Sequence, residues 1–174
     1  MDNIKTDIEV ITHLLKDDGT FPNNHSLPFV VLKQALDLGD NPASDVEKVF
    51  ASNGWGNTWR NGLYSVHHYH STAHEALGVY RGWVKGQFGG PEGVMLEAKA
   101  GDVLIIPAGV AHKNLEQSND FEVVGAYPHD QYYDMNYGKI GERPRADKNI
   151  RAVQLPDTDP VFGAHGPLME HWVK

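Results

Sequence analysis

His68 and His70, separated by one residue, are followed by Glu75 and, after a glycine–proline turn, by His112. In an extended segment, side chains two residues apart point the same way. His68 and His70 therefore share one face, and Tyr69 points to the other. Two imidazoles on one face can donate to a single metal ion. A carboxylate just past a short turn and a third imidazole from a later strand would complete a four-donor set. Mixed nitrogen and oxygen donors of this kind suit Fe, Mn, Ni, Co, Cu or Zn, and the residues do not choose among them. Three neutral imidazoles and one carboxylate leave a divalent ion with one positive charge and, in octahedral geometry, two open positions, as a catalytic centre requires.

A helical reading of the same stretch would align His67, His70 and His74. Val66, Tyr69, Ser71 and Thr72 are poor or indifferent helix formers, and no cap precedes them. The zinc-protease pattern H-E-x-x-H is also absent, because Ala76, Leu77 and Gly78 follow Glu75. In the extended reading His67 faces away from the donor side.

The elements that must position these residues are mostly strands. Tyr64–His70, Glu75–Phe88, Val94–Ala98, Val103–Ile106 and Phe121–Tyr127 are rich in Val, Ile, Leu and Tyr and are punctuated by Gly, Pro, Asn and Asp. Asp7–Leu15 and Leu27–Leu36 add two apolar segments across the turn-rich KDDGTFPNNHS, and GGPEG at 89–93 reads as a hairpin turn. Ser44 and Glu47 form a capping-box pattern that predicts a short helix from about Asp45 to Ser52 with Val46, Val49 and Phe50 on one face. Short strands at this rhythm predict an antiparallel sandwich or barrel. Beyond Pro128 the chain turns irregular, an excursion over the barrel end in which Tyr132, Tyr133 and Tyr137 could form a lid. The tail resumes at Val153–Leu155 and ends in a candidate docking segment, PLMEHW.

Composition narrows the function classes. The 174 residues suffice for one domain with a real core. A formal charge of −8 argues against nucleic acid and anionic membrane surfaces as partners. The chain contains no cysteine, which excludes disulfides and thiolate metal sites. No apolar run approaches a membrane span, and MDNIKTDIEV lacks the apolar core of a signal peptide, so a cytoplasmic protein is expected.

The spacing is also that of a known family. Gly62, five residues, His68-x-His70, four residues, Glu75, six residues and Gly82 resemble the first motif of the cupins. Gly101, five residues, Pro107-x-Gly109, two residues and His112 resemble the second. There the family's asparagine position holds Glu116, and Asn114 sits two residues earlier. The match covers Gly62 to about Glu116, more loosely to Pro128. The stretches NGWGNTWRNG, GVYRGW and TDPVFG resemble, more narrowly, a group of small bacterial single-domain cupins without a settled activity.

The resemblance implies an all-β fold, a cupin-type jelly-roll β-barrel with a short N-terminal helix and additional terminal segments, as one domain over 1–174. It implies one divalent transition-metal ion held by His68, His70, Glu75 and His112, with Glu75 preferred to His74 because the distance to Gly82 then fits. His74 becomes a neighbour of the site or a residue unconnected to it. Tyr64, by parity with His68, and Glu116, by parity with His112, are candidate catalytic residues. Arg60 and Lys113, with Arg81, are the nearby cations that could hold an anionic substrate. Trp55, Asn57, Trp59 and Arg60 could line the mouth. The function expected is a metal-dependent enzyme acting on a small organic molecule, a dioxygenase by first choice. The alternatives are a non-catalytic metal-assisted binder and a metal-dependent isomerase or decarboxylase. The resemblance also suggests a homodimer.

Overall fold

A computed structural model describes residues 4–173. Nine strands and three helices follow one another as β1 (Glu9–His13), β2 (Phe29–Lys33), α1 (Pro42–Ser52), β3 (Trp55–Asn61), β4 (Glu75–Arg81), β5 (Trp83–Phe88), β6 (Val94–Lys99), β7 (Val103–Ile106), β8 (His112–Gln117), β9 (Glu122–Pro128), α2 (Arg145–Ala152) and α3 (Leu168–His171). They form two antiparallel sheets, one in the order β1-β2-β7-β4-β9-β3 and one in the order β6-β5-β8. No ladder between named strands closes the two into a continuous barrel among the described residues.

The larger sheet is covered on both faces, which is why its strands read as unbroken apolar runs. Alternation along β2, β7 and β4 sends Phe29, Val31, Leu104, Ile106, Leu77 and Val79 inward, against Val84, Phe88 and Ala98 of the smaller sheet. The intervening Val30, Leu32, Ile105, Val103 and Ala76 point outward, where Val46, Val49 and Phe50 of α1 and Leu168 and Trp172 of the tail cover them. The tail is the docking segment expected from PLMEHW. Trp172 Nε1 donates to Pro28 O at 2.8 Å, and buried Asp159 accepts from the amides of Val161, Phe162 and Leu168.

Three sequence expectations change here. The single strand read over Glu75–Phe88 is two strands in different sheets, because Gly82 takes φ +69° and turns the chain between them. Tyr64–His70 is a loop held by isolated bridges rather than a strand, and WGNTWRN, which was not among the expected strands, is β3. The helix starts at Pro42, and no capping box forms. Proline suits a first helical turn, and Glu47 pairs with Arg60 instead.

Gly78 sets how closely α1 packs. A Cβ there would lie 2.5 Å from Val46 Cγ1 and 3.0 Å from Phe50 Cζ. Gly78→Ala is expected to destabilise the fold by roughly 1–3 kcal/mol through overpacking. Chemical denaturation should show a lower midpoint at unchanged slope; an unchanged midpoint would mean that α1 yields freely.

Candidate metal centre

His68 and His70 lie on the loop before β4, Glu75 is the first residue of β4, and His112 is the first residue of β8. The loop is fixed to β8 by reciprocal backbone bonds: His112 N–H donates to His68 O at 2.9 Å, and His68 N–H to His112 O at 3.2 Å. Gly109, at φ +95°, donates to His70 O at 2.7 Å and closes the Pro107–Val110 turn that delivers His112. Tyr69 points the opposite way, as alternation requires, and its hydroxyl donates to Glu142.

All four residues are buried. The three histidines place ligand nitrogens within 4.8 Å of one another. Their rings are oriented by one repeated device. His68 Nδ1 meets Val66 O at 2.9 Å, His70 Nδ1 meets Asp134 O at 2.6 Å, and His112 Nδ1 meets Val110 O at 3.0 Å. A carbonyl can only accept, so each Nδ1 carries the proton and each neutral ring turns an Nε2 lone pair toward the others. Glu75 closes the set on one side, with Oε2 3.4 Å from His70 Nε2 and Oε1 3.3 Å from His112 Nε2. Donors each ~2.1 Å from one ion and adjacent around it lie about 3.0–3.4 Å apart, so these separations fit a shared cation.

The electrostatics point the same way. Burial, reinforced by the His112 imidazole, pushes His68 down to about 3. Burial opposes charge on His70 as well, but the Glu75 carboxylate outweighs it and the pKa is raised. Glu75 is held well below the usual carboxylate range, since His70 and His112 together overcome its burial. Converging lone pairs around a buried carboxylate call for positive charge at their centre. A shared proton supplies it in part, and a divalent ion supplies it in full. The donor set therefore fits a metal ion.

Tyr127, not anticipated from the sequence, and Trp59, expected only at the mouth, hold Glu75 from behind. Tyr127 donates its hydroxyl hydrogen to Glu75 Oε2 at 2.7 Å and accepts from Trp59 Nε1 at 2.7 Å. A register shift in β3 between Gly56 and Trp59 aims the indole. Gly125, opposite Trp59 in β9, leaves it room, since a Cβ there would overlap the ring. Alternation along EVVGAY places Val123, Gly125 and Tyr127 on one face, and that was the available signal. Tyr133 stacks on Tyr127 at 5.0 Å and sits edge-on to His70 at 4.9 Å, so one of the three lid tyrosines touches the centre. Nothing in the sequence marks Asp134, because its contribution to His70 is a backbone carbonyl.

The other expected residues divide. The centre opens into a cavity of about 740 Å³. Tyr64 lines it, edge-on to His68 at 5.2 Å. Arg60 borders it too, yet its side chain is bidentate to Glu47 at 2.9 and 2.7 Å. Lys113 lines a separate cleft with His67 and Lys139. Glu116 is exposed opposite Lys85 and is not among the cavity's lining residues. His74 is buried away from the centre: its Nδ1 accepts from Ala108 N–H at 2.9 Å, and its ring lies 4.8 Å from Trp172.

The class these observations define is an all-β protein of two antiparallel sheets with a buried histidine triad that could hold a metal. No family model matches the chain. It is 44% identical over 167 residues to the uncharacterized protein YjlB of Bacillus subtilis (strain 168), covering 95% of this chain and 98% of that one, and it belongs to the YjlB family. Among solved structures it is similar to a dTDP-4-dehydrorhamnose 3,5-epimerase from Elizabethkingia anophelis NUHP1, at TM-score 0.44 and 14% identity over 91% of this chain and 96% of that one. It is also similar to pumpkin seed globulin, at TM-score 0.37 and 26% identity over 46% of this chain and 22% of that one. No helix among the described residues is long and apolar enough to cross a membrane.

Tyr127→Phe should lower affinity for a divalent ion about 10-fold or more, because Glu75 loses the bond that orients it. Competition against a chromophoric chelator measures this. Unchanged affinity in a folded variant would show that Glu75 needs no support from Tyr127.

Proposed function

We propose that this chain is a metal-dependent enzyme acting on a small organic molecule, with His68, His70, Glu75 and His112 as the metal ligands. The observation that carries the reading is the convergence of three Nε2 lone pairs whose Nδ1 atoms are all tied to carbonyls, beside a carboxylate 3.3–3.4 Å away. When bound, a divalent ion would act as an electrophile for a substrate oxygen and, if redox-active, would supply one-electron chemistry.

The chain's own residues supply binding and orientation. The Nδ1–H bonds to carbonyls fix which nitrogen each imidazole presents, leaving Nε2 to face the centre. Glu75 is turned by Tyr127, whose own hydrogen is used in that bond and is not available to a substrate. The centre faces the cavity on the side of Tyr64, Leu77 and Tyr133, where a ligand would displace water. Tyr64 could offer a hydroxyl there. Glu116 is not placed to exchange protons with a ligand in this cavity, which weakens the isomerase or decarboxylase reading and favours oxygen-dependent chemistry. The same shortage of free acid–base groups supports a second reading, a non-catalytic binder that uses the metal for grip.

The purified protein should contain about one divalent transition ion per chain, and His70→Ala or His112→Ala should remove most of it. Elemental analysis decides this, and full occupancy in the double variant would overturn the ligand assignment. Oxygen uptake with a panel of small acids, diols and thiols then separates oxygenase from binder.

Glu75→Gln should weaken metal binding more than His74→Gln does. The first removes a charged donor and the second a structural contact to Ala108. Equal losses in chelator competition would place His74 in the centre.

A further inference from the structure

The cavity is charged at its metal end and almost nowhere else. Besides the histidines, its charged lining residues are Arg60, Glu75 and Glu122. Arg60 donates one edge of its guanidinium, Nε and Nη2, to Glu47, so its charge is already paired with a carboxylate. It follows Trp59 in β3 and so projects to the opposite face of the sheet, the face that α1 covers. Glu122 accepts from the Tyr80 hydroxyl and lies 3.5 Å from Arg81 Nη1. No other lysine or arginine lines the cavity among the described residues, and Lys113 lies in a separate cleft. The remaining wall is uncharged, with the polar groups of Asn61, Tyr64 and Gln117 interspersed among Trp59, Leu63, Leu77, Phe121, Tyr133 and Met135.

Charge balance then restricts the ligand. Three neutral imidazoles, one carboxylate and a divalent ion sum to one positive charge. A single anionic oxygen group neutralises it. A second anionic group on the same molecule would meet a wall whose one cation, Arg60, is already paired with Glu47, and burying an unpaired charge is strongly unfavourable.

We infer that this site takes a single-headed ligand, with one oxygen group for the metal and an uncharged body, and discriminates against dicarboxylates and phosphorylated molecules. The inference rests on the metal reading above and narrows its substrate class. The volume of about 740 Å³ is in the range of sites that enclose one small organic molecule.

The test compares 4-methylbenzoate with terephthalate, which share a skeleton and a carboxylate head and differ by a methyl group against a second carboxylate. Both are titrated into the cobalt(II)-loaded full chain at neutral pH, following the visible cobalt spectrum, with azide as a probe for open positions. The expected result is a spectral change with 4-methylbenzoate at a Kd at least ~10-fold below that of terephthalate. Met135→Lys, which adds a cation to the wall, should narrow that ratio. Equal or tighter binding of terephthalate overturns the inference. So does a response to azide with none to 4-methylbenzoate, or a ratio that Met135→Lys leaves unchanged. In each of those cases the metal reading stands. A protein that takes up no cobalt overturns the metal reading itself, and this inference with it.

Discussion

Three bonds of one kind, imidazole Nδ1–H to backbone carbonyl, fix what the centre of this molecule can be. Each acceptor comes from a different stretch: Val66 beside the first histidine, Val110 in the turn before the third, and Asp134 on the strap beyond β9. If the strap failed to place the Asp134 carbonyl, His70 would be free to rotate and to change tautomer. The strap is accordingly tied down. The Asp134 side chain accepts from the Ser71 amide and hydroxyl, and Asn136 and Tyr69 exchange backbone bonds at 3.0 and 2.9 Å. Tyr69, the residue between the two ligating candidates, thus spends its backbone on the segment that orients one of them. Its ring packs into a small core with Phe21, Ala111 and Ala146.

The larger sheet supplies rigidity from the other side. Glu75 and Tyr127 stand on adjacent strands, β4 and β9, at the centre of a six-stranded sheet with apolar layers on both faces. Two glycines in those strands do opposite work. Gly78 lets α1 press on the outer face, and Gly125 lets the Trp59 indole lie across the inner face and reach Tyr127. Packing far from the centre is thereby transmitted to one carboxylate oxygen through Trp59, Tyr127 and Glu75, a path made of two hydrogen bonds of 2.7 Å.

The donor set was legible in the sequence because alternation is local. His-x-His needs only an extended backbone, and the glycine–proline turn before His112 announces itself. Parity past a loop is less dependable. Glu116 shares parity with His112, yet a register shift between Lys85 and Gly86 intervenes along the pairing with β5, and Glu116 ends exposed. His74 could not be placed from its neighbours, since Trp172 belongs to the far end of the chain. Strand β3 went unread because Gly, Asn and Thr dilute its pattern and Asn57 takes a positive φ of 56°. Helix α1 was legible as an amphipathic stretch. Its start was not, because Glu47 finds a better partner in Arg60 than in a capping box.

That pairing of Glu47 with Arg60 also settles how cations are distributed. Strand alternation sends Trp59 and Arg60 to opposite faces of β3, and His112 and Lys113 to opposite sides of β8. In both cases the residue at the centre is neighboured by a cation with a contact elsewhere. Arg60 is taken up by α1, and Lys113 borders the cleft of His67 and Lys139. Closeness in sequence does not by itself bring a cation to the centre, because neighbours one residue apart in a strand point to opposite faces. What faces the cavity beside the histidine triad is a wall of uncharged polar and aromatic groups, in which Arg60 and Glu122 are each already bonded to a neighbour, Glu47 and Tyr80.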